Sequence, residues 1–269
     1  MSLNSLIDAE NKGPVFIHSD LAKVFSLLPY NGSKEEILDR HIKFLLKELS
    51  EYDLWFPTFN YDFTKTKVFN LLSSPSQVGW LSEYFRQNYQ EWRTECPVFS
   101  ISGTGQYPIK NSKNIDIFGS GSFFEKLLHR KGTFLFYGAS IQSATFIHYV
   151  EQISKMLIYR YKKEFQGKIV TGGTSKEVKV KFYVRPLNKY LDYDWNKIYE
   201  DLSNAKLIKI VQNKKEFMNV FSISVDALFE FWLKKMKENP FYFINEKSIA
   251  WIKPIYEEKK VNFLITDFE

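Results

Sequence analysis

Short apolar runs alternate with segments of helical hydrophobic spacing along the first 160 residues of the chain. Four of these runs predict buried strands that end in small, polar or proline residues: "GPVFIHSDL", "DLWFPTF", "PVFSIS" and "TFLFYG". Strands that alternate with helices are typical of an α/β fold. We therefore expect a central, mostly parallel or mixed sheet flanked by helices, with ligands at the carboxyl ends of the strands.

Helix-start signals mark the segments between these strands. Ser33, followed three residues later by Glu36, predicts a capping box at the start of a helix. Ser74 and Pro75 resemble the cap and first turn of a second helix. Two further helices are predicted from the segments "FFEKLLHRK" and "VDALFEFWLKKMKENP".

After about residue 160 the pattern changes to strict alternation. The segment "KEVKVKFYVR" predicts a half-exposed antiparallel strand, "GKIVTGGTSK" a hairpin turn or loop, and "KLIKIV" and "NVFSISV" two more strands. No composition shift marks a linker. We expect a single domain over residues 1–269, with a core at roughly 13–160 and an additional antiparallel β region at roughly 165–225.

Composition narrows the class of protein. The net charge of +6 is spread over dispersed lysines, which argues against nucleic-acid binding and favours a small phosphorylated ligand or a solvated basic surface. Cys96 is the single cysteine, so an internal disulfide or a four-thiolate metal site is excluded, and no metal is predicted. With no signal-peptide pattern and no long apolar run, we expect a cytoplasmic protein without membrane insertion. The oligomeric state, a homodimer included, is left open.

The most informative stretch is "SATFIHYVEQ", which follows the strand "TFLFYG". If Ser140 or Ser143 caps a helix there, Thr145, His148 and Glu151 lie three residues apart on one helix face. A carboxylate beside an imidazole fixes its tautomer and makes it a proton acceptor. The alternative is a core histidine that is hydrogen-bonded only for stability.

Over roughly residues 13–160 the chain resembles the aminoglycoside 3-N-acetyltransferase family. The resemblance is carried by four segments in the family's order: "VFIHSDL", "FPTF", "SPSQVGWLSEYFRQNYQEWRTECPVFSISG" and "GSFFEKLLHRKGTFLFYGASIQSATFIHYVE". The last contains the family's Thr-x-x-His-x-x-Glu signature. The chain departs from the family at Cys96, where a histidine usually precedes the proline.

The resemblance implies transfer of an acetyl group from acetyl-coenzyme A to an amine, by direct transfer in a ternary complex. His148 would take the amine proton, Glu151 would orient the ring, and Thr145 would contact the thioester oxygen. The same resemblance implies cofactor contacts at the first strand end and near the pantetheine arm, from His18, Ser19, Asp20, Leu21 and Ser100. Asp20 would repel a phosphate, so we expect its carboxylate to point into a turn or cap.

The acceptor is predicted from charge. A basic chain does not suit a polycationic drug, whereas an amino sugar linked to a nucleotide diphosphate suits it, and relatives of this type are associated with surface-polysaccharide biosynthesis. Lys179, Lys181 and Arg185 could meet its phosphates, and Tyr61 and Asp62 could line the acceptor cleft. Three alternatives stay open: an aminoglycoside-resistance enzyme, an acyltransferase or hydrolase that uses Cys96 as nucleophile, and a noncatalytic basic binding module.

Overall fold

The structure is a computed structural model that describes residues 3–8, 10–29, 31–109, 112–186, 190–211, 219–260 and 263–268. Its strands are β1 Val15–Ser19, β2 Leu54–Pro57, β3 Val68–Asn70, β4 Trp92–Arg93, β5 Ile101–Gly103, β6 Asn114–Asp116, β7 Thr133–Tyr137, β8 Tyr161–Thr171, β9 Thr174–Val184, β10 Lys209–Ile210 and β11 Val220–Ser224. Its α-helices are α1 Leu21–Val24, α2 Lys34–Glu48, α3 Phe63–Thr66, α4 Trp80–Asn88, α5 Phe123–His129, α6 Phe146–Ser154, α7 Trp195–Asn204, α8 Val225–Glu238 and α9 Glu246–Lys259.

The main sheet has the strand order β10-β11-β7-β1-β2-β5-β4. The central strands β7, β1 and β2 are parallel, and antiparallel strands flank them on both sides. The central strands are continuous apolar runs because both of their faces are covered. The predicted α/β class with a mixed sheet is therefore confirmed.

A second sheet has the order β3-β8-β9-β6, with the long β8–β9 hairpin at its centre. The segment "GKIVTGGTSK" is mostly strand rather than turn, since only Gly172 and Gly173 form the reversal, at φ 54° and 86°. The predicted β region at 165–225 is divided between the sheets. β8 and β9 belong to the second sheet, whereas β10 and β11 extend the main sheet beside β7.

Helices cover both faces of the main sheet. α5, α6 and α8 pack together on one face, over a core rich in phenylalanine, and α2 and α4 pack on the other. The capping box predicted at α2 is present, with the Ser33 hydroxyl accepting from Glu36 N and the Glu36 carboxylate accepting from Ser33 N. α7 and α9 were not predicted from the sequence, and Pro254 lies within α9.

Two helix starts differ from their predictions. α4 begins at Trp80 rather than after Ser74, because the intervening segment bonds to the loop after β2: Asn60 donates to the Pro75 carbonyl and Gln77 N donates to the Phe59 carbonyl. α6 begins at Phe146 without a side-chain cap. Ser140 and Ser143 instead flank and end a 3-10 turn, in which the Ser143 hydroxyl donates to the Ser140 carbonyl.

The topology determines where a site can form. The parallel strands β1, β2 and β7 deliver their carboxyl ends to one edge of the sheet, so the loops at Ser19–Leu21, Thr58–Asn60 and Gly138–Ser143 emerge together there. α6 follows the last of these loops. Within the described residues, no helix is long and apolar enough to cross a membrane.

Candidate active site

His148 and Glu151 form a hydrogen-bonded pair on α6. Their three-residue spacing places both side chains on one helix face, where His148 Nδ1 lies 2.9 Å from Glu151 Oε2. A carboxylate only accepts, so the Nδ1 atom carries the hydrogen. Nε2, with its lone pair, has no hydrogen-bond partner among the described residues, and the His148 side chain is 25% exposed. The pair thus presents one basic nitrogen outward.

The Glu151 carboxylate is held from several sides. Tyr159 and Tyr193 each donate a hydroxyl hydrogen bond of 2.7 Å, and Arg160 Nε lies 3.3 Å away. Burial raises the pKa of this carboxyl, but Arg160 and His148 outweigh burial and lower it to about 2. Glu151 is therefore ionised and fixed in position at neutral pH.

The protonation state of His148 follows from two opposed effects. Burial lowers its pKa, the hydrogen bond to Glu151 raises it, and the nearby Arg160 lowers it again. The net direction is downward from the ordinary value, so the ring is neutral near pH 7. A neutral imidazole is the form that can accept a proton.

Thr145 lies one turn before His148, as its spacing predicts. Its hydroxyl is 3.4 Å from the Ser143 carbonyl and makes no hydrogen bond to His148 or Glu151 among the described contacts. A role for Thr145 in contacting a thioester stays a prediction.

A cavity of about 980 Å³ opens at the carboxyl ends of β1 and β7. This strand-end cavity is lined by Ser19–Lys23, by Lys34 and Ile37 of α2, by Gln77–Leu81, and by part of the loop at Ala139–Ser143. Three of the predicted cofactor residues, Ser19, Asp20 and Leu21, therefore lie on its wall. The Ser19 hydroxyl is buried without a hydrogen-bond partner among the described residues, so it is available to a ligand.

The Asp20 carboxylate caps the start of α1. It accepts from Ala22 N at 3.2 Å and lies 3.7 Å from Lys23. The expected turn or cap geometry of this carboxylate is confirmed, so the negative charge is partly compensated.

His18 and Ser100 lie below the cavity surface. The His18 ring is 3% exposed among the rings of Phe16, Phe134 and Phe136, and this burial lowers its pKa to about 3. The Ser100 hydroxyl is fully buried and donates to the Thr58 carbonyl at 2.6 Å. Neither residue lines the strand-end cavity, and a cofactor contact of either stays a prediction.

A second cavity, of about 760 Å³, lies beside β6. Glu95, Cys96, Phe99 and the segment Asn114–Ile117 are among the residues that line this β6 cavity. Phe118, which follows that segment, packs edge-on against the His148 ring at 5.3 Å. The Phe118 ring therefore lies between His148 and the residues that line the β6 cavity.

The predicted acceptor residues lie at the margin of this region. The Tyr61 ring packs edge-on against Phe99 at 6.1 Å and is 45% exposed, and its backbone N donates to Gln77 Oε1 at 2.7 Å. Asp62 is exposed at the start of α3. Tyr61 thus links the wall of the β6 cavity to that of the strand-end cavity, whereas Asp62 faces solvent.

The carboxylates of the β6 cavity are matched by lysines from the β8–β9 hairpin. Asp116 lies 3.2 Å from Lys162 and 3.8 Å from Lys181, and it accepts from Gln152 of α6 at 2.9 Å. Glu95 is paired with Lys176. The other two cations proposed to meet phosphates are also paired, Lys179 with Glu164 and Arg185 with Asp192.

Cys96 is poorly suited to nucleophilic catalysis. Its side chain is 6% exposed, and burial raises the thiol pKa to about 12. The thiol lies 3.9 Å from the Pro97 carbonyl, and no imidazole contacts it within the described ranges. A thiol in this state is protonated at neutral pH, which disfavours the covalent alternative.

A carboxylate-oriented imidazole that follows the carboxyl end of a central strand is typical of an enzyme rather than of a binding module. The family model for aminoglycoside 3-N-acetyltransferases matches residues 49–237, and the chain belongs to this family of acetyltransferases. No curated protein sequence matches the chain.

Solved structures agree on the fold. AAC-IIIb in binary complex with CoASH has a TM-score of 0.70 at 15% identity, over 88% of this chain and 94% of that one. Apo AAC(3)-IVa has a TM-score of 0.67 at 17% identity, over 96% and 94%. AAC-VIa bound to sisomicin has a TM-score of 0.64 at 15% identity, over 88% and 95%. Identities this low establish the fold alone.

Sequence reasoning missed most of the residues that surround Glu151. Tyr193 comes from a segment 42 residues downstream, and no spacing rule connects it to α6. Arg160 and Tyr159 are closer, in the stretch "LIYRYKKEF", where an arginine between two tyrosines in an apolar context was a usable signal. The lysine partners of Asp116 were seen only as a basic strand face.

Proposed function

We propose that the protein acetylates the amine of an amino sugar, with acetyl-coenzyme A as donor and His148 as general base. The observation that carries this proposal is the His148–Glu151 pair, with an ionised carboxylate on Nδ1 and an unoccupied lone pair on Nε2. An amine attacks a carbonyl only through its free lone pair, so a neutral imidazole is the group the reaction needs.

The strand-end cavity fits the donor. Its lining includes Lys23, Lys34 and the loop that leads into α6, and it offers the Ser19 hydroxyl without a described partner. Ser19, Leu21 and the Gln77–Leu81 segment would hold the coenzyme, which supplies an acetyl group activated as a thioester. The fold's occurrence in AAC-IIIb with CoASH supports the same choice of donor.

The β6 cavity fits the acceptor. An amine held there would approach His148 Nε2 past Phe118, and the proton released from its nitrogen would pass to that atom. Glu151 would stabilise the imidazolium that results, and Tyr159, Tyr193 and Arg160 would keep the carboxylate in place. Donor and acceptor would then enter from separate sides, which favours direct transfer in a ternary complex.

Charge compensation favours a neutral or anionic acceptor. A polycation would need unpaired carboxylates, but Asp116 and Glu95 already face lysines, and Lys126 adds positive charge to the lining. A nucleotide-linked amino sugar satisfies this requirement, which supports a role in surface-polysaccharide biosynthesis.

A second candidate is acetylation of an aminoglycoside. It is favoured by the family match and by the fold shared with AAC-VIa, whose structure contains sisomicin. The two candidates share the same donor and base. They differ in the charge of the acceptor that the β6 cavity would bind.

Release of free thiol from acetyl-coenzyme A separates these candidates. Purified protein is assayed with nucleotide-linked amino sugars, with the matching free amino sugars, and with sisomicin and apramycin. We expect kcat/KM for a nucleotide-linked sugar to exceed that for either antibiotic by at least about tenfold, or about 1.4 kcal/mol. A higher value for the antibiotics would replace the amino-sugar proposal by the second candidate. If none of the acceptor classes leads to thiol release, both candidates are wrong.

A further inference from the structure

The outer wall of the strand-end cavity carries a large exposed aromatic ring. Trp80 is 64% exposed although it is the first residue of α4 and lines a cavity. It is placed there by Gly79, whose φ of 116° and ψ of 151° lie in a region that side-chain-bearing residues avoid. An aromatic side chain fixed open at a cavity mouth is a suitable surface for a planar ligand.

Positive charge accompanies this ring. Lys34 Nζ lies 4.0 Å from the centre of the Trp80 ring and makes no ion pair with any described carboxylate. Lys23, on the same wall, lies 3.7 Å from Asp20. This ion pair is exposed, and exposed pairs are weak. The cavity mouth therefore combines an indole with an ammonium group that lies over one face of the ring and has no described carboxylate partner.

The loop that leads into α6 also lines this cavity. Ser140, Gln142 and Ser143 line it, and the chain then enters α6 and reaches His148 one turn later. A coenzyme whose thioester reaches His148 must leave its nucleotide end at the mouth, beside Trp80 and Lys34.

We infer that Trp80 stacks on the adenine ring of coenzyme A and that Lys34 pairs with its phosphate groups. This inference rests on the proposed function, which makes acetyl-coenzyme A the donor. It adds two residues that bind the nucleotide end of coenzyme A, away from the thioester. Adenine stacks on aromatic faces irrespective of hydrogen-bond pattern, and a lysine without a carboxylate partner is free to neutralise phosphate charge.

Calorimetric titration tests the stacking with coenzyme A and with pantetheine, which has the same thiol arm and no nucleotide. We expect Trp80→Ala to weaken coenzyme A binding by about tenfold or more, in line with base-stacking losses on alanine substitution, and Trp80→Phe to retain most of the affinity. Pantetheine binding should be the same in all three proteins.

Lys34→Ala tests the phosphate contact, with Lys47→Ala as the matched control because Lys47 is exposed on the same helix and lies outside the cavity lining. We expect Lys34→Ala to weaken coenzyme A binding and to reduce its dependence on salt concentration, and Lys47→Ala to change neither.

The outcomes separate this inference from the proposed function. If the wild type binds coenzyme A and folded Trp80→Ala binds it equally well, the inference is wrong and the donor assignment stands. If Trp80→Ala loses affinity for coenzyme A and for pantetheine equally, the indole has a structural role and the stacking is wrong. If the wild type binds neither molecule, the donor assignment fails and the inference fails with it.

Discussion

His148 combines three properties that a general base needs, and each has a separate cause. α6 supplies the three-residue spacing to Glu151, burial keeps the ring neutral, and the anchored carboxylate determines which nitrogen holds the proton. The position of the Glu151 carboxylate depends on its surroundings, because Glu151 is 1% exposed and its charge is balanced by Arg160.

Replacing the imidazole removes the proton acceptor without removing the cavity. We expect His148→Gln to lower kcat by about 100-fold or more, the range of general-base contributions, with coenzyme A affinity unchanged. Steady-state kinetics and a binding titration check this, with His129→Gln as control because His129 is exposed at the end of α5. Near-normal turnover by His148→Gln would exclude this residue as the base.

At the scale of elements, the connection between β3 and α4 forms one wall of the strand-end cavity without regular structure of its own. Arg93 of β4 holds it in place. Its guanidinium donates to the carbonyls of Ser74 at 2.6 Å, Thr58 at 2.8 Å and Leu71 at 3.2 Å, and its ring neighbour is Phe69. One buried side chain thus joins the β3–α4 connection to the loop after β2.

Loss of this guanidinium leaves several buried carbonyls without donors. We expect Arg93→Met to lower the free energy of unfolding by about 3 kcal/mol or more, since each unsatisfied buried acceptor costs about 1–3 kcal/mol. Urea unfolding measures this change, and coenzyme A titration should show weaker binding because Gln77–Leu81 loses its support. Arg185→Met is the control, since Arg185 is exposed in a surface ion pair with Asp192. Equal stability of the two variants would contradict this role for Arg93.

The elements that the sequence predicted well are those determined by local pattern. The strands β1, β2 and β7 are apolar runs, α2 has its capping box, and the His148–Glu151 contact follows from helix geometry. The predicted start of α4 was wrong because the hydrogen bonds that hold Ser74–Gly79 come from the loop after β2. Local sequence patterns do not predict such long-range bonds. Three other long-range features were not predicted for the same reason: the contact of Tyr193 with Glu151, the pairing of the β8–β9 lysines, and the position of β11 beside β7.

At the scale of the molecule, packing around the main sheet places imidazoles where protonation is unfavourable. His18 lies among aromatic rings, and His41 of α2 bonds to the Tyr137 hydroxyl at 2.6 Å across the opposite face. Burial lowers the pKa of His18 to about 3 and that of His41 to about 4, and His148 is shifted in the same direction. The folded chain therefore binds fewer protons than the unfolded chain at mildly acidic pH.

The sign of the pH dependence follows from this difference. Unfolded histidines take up protons below about pH 6.5, while the folded ones stay neutral until the pH approaches their lowered pKa values. We expect the free energy of unfolding to fall between pH 6.5 and pH 5, by up to about 1.4 kcal/mol per pH unit for each buried imidazole. Urea unfolding at several pH values measures it. His18→Phe should reduce the slope because the ring fits the same aromatic surroundings without titrating. A urea midpoint that stays constant from pH 7 to pH 5 would mean that these imidazoles are not buried in neutral form.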